Sequence, residues 1–338
     1  MAKIRLGVIG CGHILNYAHG RALEKLLKDG KDLEVTAFCD LIKERADGFA
    51  VRFGAKSYTD YHDMLDDVDA VLVATMHDTH YEIAHFFMSN HKHCLLEKPL
   101  CNTREEVVDL IELSEKMDVT FMCAYPVPYW EGVCKMRDLL KTGEYGNITQ
   151  MSIWTEQYTH MYDFYSAKQL GGGQLFSHGC HYIDILLEFL GDPESAVHMG
   201  TNLHTPWIER EGNSNVVMKF KNGTMAYHFG TWGARGTTHS YTFHIHTDEG
   251  MFDYDDTNAV LKFTSMLHPD EDKRRETIWK LGSTDGHATW REIGHFLDCI
   301  EEHKLPLTNG RRALRGLDVI WKMYEAEEKN EIADLSNL

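Results

Sequence analysis

The chain has 338 residues, a length that favours two domains over one or three. Hydrophobic residues make up 43% and charged residues 25%, the balance of a soluble globular protein with sizeable cores, so extended disorder is excluded. A formal net charge of -18, with no Lys/Arg-rich run to offset it, repels phosphate backbones and anionic headgroups and argues against nucleic-acid and membrane partners.

From Ile4 to Cys123 short apolar runs alternate with helical segments. The strands are predicted at Ile4–Ile9, Glu34–Cys39, Ala70–Ala74, His93–Leu96 and Val119–Cys123. Helices are predicted around Leu15–Lys28, Ile42–Phe53, Thr79–Asn90 and Thr103–Lys116. Strand followed by helix, repeated, implies right-handed crossovers and a doubly wound parallel sheet, which binds ligands at the carboxyl ends of its strands. Residues 1–123 are therefore expected to form a nucleotide-binding Rossmann domain, and residues 124–338 a second, α+β domain.

The texture changes after Cys123. Tyr125-Pro126-Val127-Pro128 reads as a linker, Trp130–Lys141 as a helix and Ile148–Gln157 as the start of an extended region. Strands follow at about Val197–His204, Asn215–Phe220, Thr224–Thr231, Ser240–Asp248 and Val260–Phe263, with Lys221-Asn222-Gly223 turning one hairpin. Helices at about Ala288–Glu302 and Gly310–Glu328 end the pattern. The expected second domain is an open, mainly antiparallel sheet with helices.

Eight cysteines, with no CxxC pair among them, lie mostly within these apolar patterns, as reduced core thiols do. The first strand begins at Lys3, which leaves no room for a signal core, and no apolar run reaches membrane-spanning length. The expected location is the cytoplasm.

Gly10 and Gly12 stand between a buried strand and a helix, where glycine permits a tight turn and lets a pyrophosphate approach the helix start. Leu15 occupies the position where the dinucleotide fingerprint has a small residue. Asp40 ends the second strand, 28 positions after Gly12, where a carboxylate accepts hydrogen bonds from a ribose diol provided the first helix is long. Leu41 and Ile42 offer no cation to a 2′-phosphate, so NAD is expected rather than NADP.

These features, with Ala74-Thr75, His80, Glu97-Lys98-Pro99 and Gly171-Gly172-Gly173 followed by His181-Tyr182-Ile183-Asp184, resemble the glucose-fructose oxidoreductase, inositol dehydrogenase and MocA family over essentially the whole chain. The resemblance implies cofactor contacts from Gly10, Gly12, His13, Ile14, Asp40, Thr75, His77, His80, Glu97 and Lys98. It implies that Lys98 and His181 flank a hydroxyl of a sugar or polyol whose carbon gives hydride to the nicotinamide. A histidine near its unperturbed pKa is a suitable base for that proton, and a lysine at a strand end stabilises the developing negative charge on oxygen. Pro99 fixes the backbone beyond Lys98, with a cis bond as one way of doing so.

One position departs from the family. An aspartate is common four residues before the histidine, and here that residue is Ser177, which is read either as a hydrogen-bonding neighbour of His181 or as a helix N-cap. Asp184, three residues after His181, is the alternative carboxylate. His178 and His181, and likewise His244 and His246, are spaced to share a face, yet no spacing fixes a metal site, and no metal is expected. Tyr125, Trp154, Tyr158, His160 and His178 join Lys98 and His181 as expected substrate contacts, because aromatic faces pack against sugar rings. Tyr129 and Trp130 at the linker, and Tyr162 and Tyr165 beyond His160, belong to the same aromatic concentration.

The leading functional reading is an NAD-dependent oxidoreductase acting on a secondary hydroxyl, or the corresponding ketone, of a sugar, glycoside or cyclic polyol. A second is a transient-redox enzyme with retained NAD: a glycoside-cleaving lyase or hydrolase, or an epimerase. A third is a cofactor-binding regulator without turnover, against which the presence of both Lys98 and His181 argues. The resemblance further implies a homodimer or homotetramer formed through the open sheet.

Overall fold

A computed structural model describes residues 3–159, 171–237, 240–280 and 288–338. Contacts divide the chain into two compact units, Met1–Tyr129 with Gly286–Leu314 and Trp130–Asp285 with Arg315–Leu338.

The first unit is built on six parallel strands: β1 (Ile4–Ile9), β2 (Leu33–Cys39), β3 (Lys56–Tyr58), β4 (Ala70–Val73), β5 (His93–Glu97) and β6 (Phe121–Ala124), in the order β3-β2-β1-β4-β5-β6. Helices α1 (Gly20–Lys28), α2 (Lys43–Phe53), α3 (His80–Ser89) and α4 (Arg104–Met117) make the crossovers. Ala70 to Val73 are all buried, as expected of a parallel strand covered on both faces. Thr103 and Glu106 form a capping box that starts α4. The strand order reverses between β1 and β4, and a doubly wound sheet opens its ligand crevice at the carboxyl ends there.

The second unit begins with α5 (Glu131–Lys141) and carries a nine-stranded sheet: β7 (Ile148–Glu156), β8 (Pro193–Thr201), β9 (Asn213–Phe220), β10 (Met225–Thr231), β11 (Tyr241–Thr247), β12 (Met251–Asp255), β13 (Val260–Thr264), β14 (Arg275–Lys280) and β15 (Ala333–Asp334). Their order is β14-β13-β12-β11-β7-β10-β9-β8-β15. Every pairing is antiparallel except β7 with β10. Register defines the two faces. His198, Val216, His228, Ile153, Phe243 and Tyr254 follow one another across the strands on the buried face, where Tyr182 of α6 (Cys180–Leu190) stacks on His228 with ring centroids 5.4 Å apart. Met199, Asn215, Phe229, Trp154 and Thr242 follow on the other face.

The strands β3, β12, β14 and β15 are absent from the sequence reading. They are short or lie at sheet edges, where few apolar residues are needed. The domain division also differs. Helix α7 (Thr289–Glu302), expected in the second domain, packs on α1 of the first unit: Lys25 Nζ lies 4.4 Å above the Trp290 ring and Lys31 pairs with Asp298. An amphipathic pattern shows that a helix has an apolar face but not which partner covers it. The last helix, α8 (Gly310–Lys329), begins in the first unit and continues in the second.

Gly10 has φ +94°, and a Cβ there would lie 2.3 Å from the carbonyl oxygen of Ala74. Both the conformation and the space exclude a side chain. Gly10→Ala is therefore expected to push β1 and β4 apart at the crevice and to cost about 2 kcal/mol or more of stability, measured by urea unfolding.

Candidate functional site

In the first unit the chain leaves β1 through Gly10 and Cys11. Asp40, directly after β2, receives the Cys11 N–H on Oδ2 and the Ile42 N–H on Oδ1, each at 2.8 Å. The carboxylate is held between two strand ends and stays half-exposed. At Gly12 an added Cβ would meet no atom within 4 Å, so the backbone there is open to the close approach of a ligand. His13 is exposed, with its ring stacked 5.7 Å from that of Tyr17, and Ile14 is half-buried. Leu15, in the fingerprint position that has a small residue, is fully buried, and the helix is wound as a π-helix from Leu15 to His19 before α1 continues it. Together these segments form the long first helix that the position of Asp40 requires.

The wider π turn carries His19 into the interior. His19 Nε2 lies 2.6 Å from Glu97 Oε1 at the end of β5, and Glu97 Oε2 receives the backbone N–H of Lys98 at 3.0 Å. His19 is 1% exposed and Glu97 8%. Burial alone would raise the Glu97 carboxyl, but the hydrogen bond and charge of His19, with the charge and N–H of Lys98, pull it down to about 2. Glu97, expected among the cofactor contacts, thus has both oxygens engaged inside the protein and acts on its neighbour. Lys98 is half-buried just beyond the carboxyl end of β5, and its bond to Pro99 is cis.

His80 is another expected cofactor contact with an interior role. It is 0% exposed; Nδ1 lies 3.0 Å from the Pro99 oxygen and 3.2 Å from that of Leu100, while Nε2 lies 3.2 Å from the Thr75 oxygen. Burial lowers its pKa, and the neighbouring carbonyls oppose that only in part. The ring therefore lies between the turn after β4 and the turn after β5, within hydrogen-bond distance of carbonyl oxygens of both. Thr75 is half-buried and receives the Thr79 hydroxyl at 2.8 Å; the buried His77 ring lies 5.6 Å from that of His80.

In the second unit a helix opens with another π segment, Leu175–Gly179, and continues as α6. Ser177 is not its N-cap: it lies within the π turn, buried, and donates its N–H to the Gly173 oxygen at 3.0 Å. His178 Nδ1 lies 3.2 Å from Gln174 Nε2, and its ring is 6.0 Å from that of His181 and 5.3 Å from that of Tyr182. His181 and Asp184 are both buried, at 7% and 2% exposure.

The aromatic expectations divide. Tyr125 is fully buried in the first unit, so its expected substrate contact is replaced by a place in the core. Trp154 lies on the opposite face of the nine-stranded sheet from α6, packed 5.1 Å from Phe229 and 5.4 Å from Tyr227. This corrects the expectation that it shares a pocket with His178 and His181. Tyr158 is 63% exposed and bridges to Gly233. His160, Tyr162 and Tyr165 lie outside the described residues.

Sequence reasoning missed His19 and Glu292. His19 falls within the apolar stripe of its helix, beside Leu15, Ala22 and Leu23, and a titratable residue in such a stripe is the available signal for a buried polar contact. Glu292 on α7 is 1% exposed and is raised well above the carboxylate range by burial and by the Glu97 charge. Nothing local in the sequence brings it near Glu97.

A six-stranded doubly wound sheet with a glycine turn and an acidic residue after β2, followed by an α+β domain, defines a dinucleotide-binding protein of two units. Residues 4–125 match the family model described as "Oxidoreductase family, NAD-binding Rossmann fold", and residues 133–253 match that of the GFO/IDH/MocA C-terminal domain. The chain belongs to the glucose-fructose oxidoreductase, inositol dehydrogenase and MocA family, and its first unit is the NAD-binding domain of that family. Glucose-6-phosphate 3-dehydrogenase of Bacillus subtilis (strain 168) is 27% identical over 190 residues, 54% of this chain and 52% of that protein. The 2,7-anhydro-N-acetylneuraminate hydratase of Escherichia coli (strain K12) is 27% identical over 66% of this chain and 60% of that protein. The chain thus spans between half and two thirds of the length of these curated relatives. Levoglucosan dehydrogenase, solved in complex with NADH and levoglucosan, has the same fold, with a TM-score of 0.89 at 20% identity over 98% of this chain and 99% of that one. Among the described residues no helix is long and apolar enough to cross a membrane.

The depressed Glu97 carboxyl makes a stability contribution that is present above its ordinary value of 4.5 and is lost as pH falls toward about 2. Glu97→Gln is expected to lower neutral-pH stability by about 3 kcal/mol, and to lose less further stability than the parent between those pH values. Urea unfolding at neutral pH and at pH 3 measures both.

Proposed function

We propose that the protein is an NAD-dependent oxidoreductase that acts on a secondary hydroxyl, or the corresponding ketone, of a sugar, glycoside or cyclic polyol. The observation that carries the reading is Lys98: a half-buried lysine beyond the carboxyl end of β5, its backbone held by Glu97, in a family whose matched members include proteins named as sugar and polyol dehydrogenases.

The residues present fit NAD. Gly12 leaves open backbone at the start of the first helix, and Asp40 presents a carboxylate held by two N–H groups after β2, the place of the ribose-binding acid in the dinucleotide fingerprint. When bound, the nicotinamide exchanges a hydride with the substrate carbon. Lys98 is assigned the substrate oxygen, which it holds by hydrogen bond and stabilises as negative charge develops. His181 is assigned the hydroxyl proton, taken up at the imidazole during oxidation and returned during reduction. Ser177 and Asp184 are assigned support of that imidazole, and His178 and Tyr158 substrate contact. His13, Ile14, Thr75 and His77 are assigned to the cofactor side.

A second reading is favoured by the hydratase name of the Escherichia coli relative and by Ser177 in place of a carboxylate. In it the sugar is oxidised transiently, the C–H next to the oxidised carbon is acidified, a group is eliminated or a centre inverted, and the cofactor returns to its starting state.

Incubation of the protein with NAD and a panel of sugars, glycosides and inositols tests both readings. Accumulating reduced nicotinamide with a ketone product supports the first; a changed sugar without net cofactor change supports the second. Lys98→Ala is expected to lower kcat by about a hundredfold or more with NAD affinity within about twofold of the parent. An unchanged rate removes the assigned role.

We also infer that a second copy covers the free face of the nine-stranded sheet. Met199 is 70% exposed there, Val217 43% and Met225 47%, alongside Tyr227 and Phe229. Sedimentation is expected to show a dimer or tetramer, and Met199→Glu with Val217→Glu to shift it toward monomer.

A further inference from the structure

The helix that carries His178 and His181 begins without a side-chain cap of its own, and Gln174 before its first turn makes no capping hydrogen bond. The opening N–H groups of a helix have no partners within it and must find them elsewhere. Here two residues remote in sequence supply the acceptors. The Tyr324 hydroxyl receives the N–H groups of Gly173 and Phe176, both at 3.2 Å. Glu211 receives the Leu175 N–H on Oε1 at 3.0 Å and the Gln174 N–H on its backbone oxygen at 2.7 Å. Tyr324 in turn donates its hydroxyl proton to Glu211 Oε1 at 2.7 Å. The N–H groups of Gly173 through Phe176 are thereby all satisfied, and the Ser177 N–H starts the helix's own ladder.

The glycines before the helix fit this arrangement. A Cβ on Gly173 would lie 2.1 Å from the Glu211 carboxyl, so only glycine lets the carboxyl reach the backbone. On the far side, the Arg210 guanidinium lies 3.7 Å over the Tyr324 ring, and Arg210 Nε is 3.7 Å from Glu211 Oε2. Glu211 is 2% exposed, and the Tyr324 hydroxyl is buried with it.

We propose that Glu211 and Tyr324 are positioning residues for the reaction, fixing the start of the helix on which His178 and His181 are carried. The proposal rests on the reading above that assigns the substrate proton to His181. A carboxyl oxygen at a helix start satisfies an opening N–H group whether or not the acid is ionised. A base displaced by about 1 Å loses up to about a hundredfold in rate, so an anchor outside the site acts on kcat without touching substrate.

The anchor is also titratable. Burial raises the Glu211 carboxyl to about 7, against the Tyr324 and Leu175 hydrogen bonds and the Arg210 charge, and with the Glu327 charge adding to the rise. Of the other groups facing it, burial pushes Tyr324 far up, and His198, lowered by burial, lies 2.9 Å from Glu327. Glu328 pairs with Arg210 at 3.3 Å. A raised carboxyl stabilises the folded form most below its ordinary value of 4.5, and that contribution falls as pH rises toward about 7.

Amide hydrogen exchange of the peptide covering residues 171–182, referenced to a peptide from β9, tests the proposal on the full chain. Glu211→Ala and Tyr324→Phe are expected to lower its protection about tenfold or more with NAD affinity unchanged. Glu211→Gln keeps an accepting oxygen and cannot ionise; the parent is expected to lose protection between pH 5 and pH 7, and Glu211→Gln to retain protection without that decline. With a substrate in hand, Glu211→Ala lowers kcat about tenfold or more while KM for NAD stays within about twofold. Protection or kcat unaltered in both Glu211→Ala and Tyr324→Phe overturns the proposal. Should Glu211→Ala fail to fold, Tyr324→Phe and Glu211→Gln decide alone. Protection lost as expected in a protein that turns over no sugar supports the anchor and counts against the oxidoreductase reading instead.

Discussion

A buried histidine–glutamate hydrogen bond joins the two working parts of the nucleotide-binding unit. His19 sits on the helix that follows the glycine turn, Glu97 ends β5, and the contact between them leaves the second carboxylate oxygen to hold the Lys98 backbone. Removing the histidine would leave the buried Glu97 carboxylate without that hydrogen bond in a low-dielectric interior, which makes the geometry stiff. The buried His80 ring fills the space between the turns after β4 and β5, with one ring nitrogen facing carbonyl oxygen on each side. The cation proposed to meet the substrate oxygen therefore stands on backbone that is set by interior polar contacts.

Both helices that matter most open with a π segment, Leu15–His19 in one unit and Leu175–Gly179 in the other. Such segments are rare and widen the helix locally, shifting the side chains that follow around the axis. In the first case a bulky Leu15 is accommodated where the fingerprint has a small residue, and His19 is turned inward. The two openings meet the common need of unpaired N–H groups differently. The first follows Gly12, whose surroundings are open; the second is closed by Glu211 and Tyr324. Closure suits a helix whose task is to hold imidazoles still, and openness suits one that receives a phosphate.

The nine-stranded sheet separates roles by face. Its buried side, with His228 and Phe243, supports α6; its other side gathers Trp154, Phe229 and Met199. An aromatic residue near a cleft-like motif in the sequence is thus no guide to the cleft, because strand alternation sends neighbouring residues to opposite sides. Trp154 is the instance here.

Periodicity and glycine chemistry carried the sequence a long way. The order of strands and helices up to Cys123 follows from short β-branched runs alternating with amphipathic stretches, and Gly10, Gly12 and Asp40 have local reasons to be where they are. Lys98 is legible because Pro99 and the end of β5 flank it. What the sequence left open is what depends on contacts between distant residues. His19 with Glu97, Glu211 with Tyr324, His80 with the Thr75 and Pro99 carbonyls, and α7 on α1 each pair segments whose own patterns name no partner. Local sequence determines which residues turn, extend or coil, since steric and hydrogen-bonding preferences act over a few positions. Only the folded chain decides which buried polar groups meet, because satisfying them requires the whole interior to close around them.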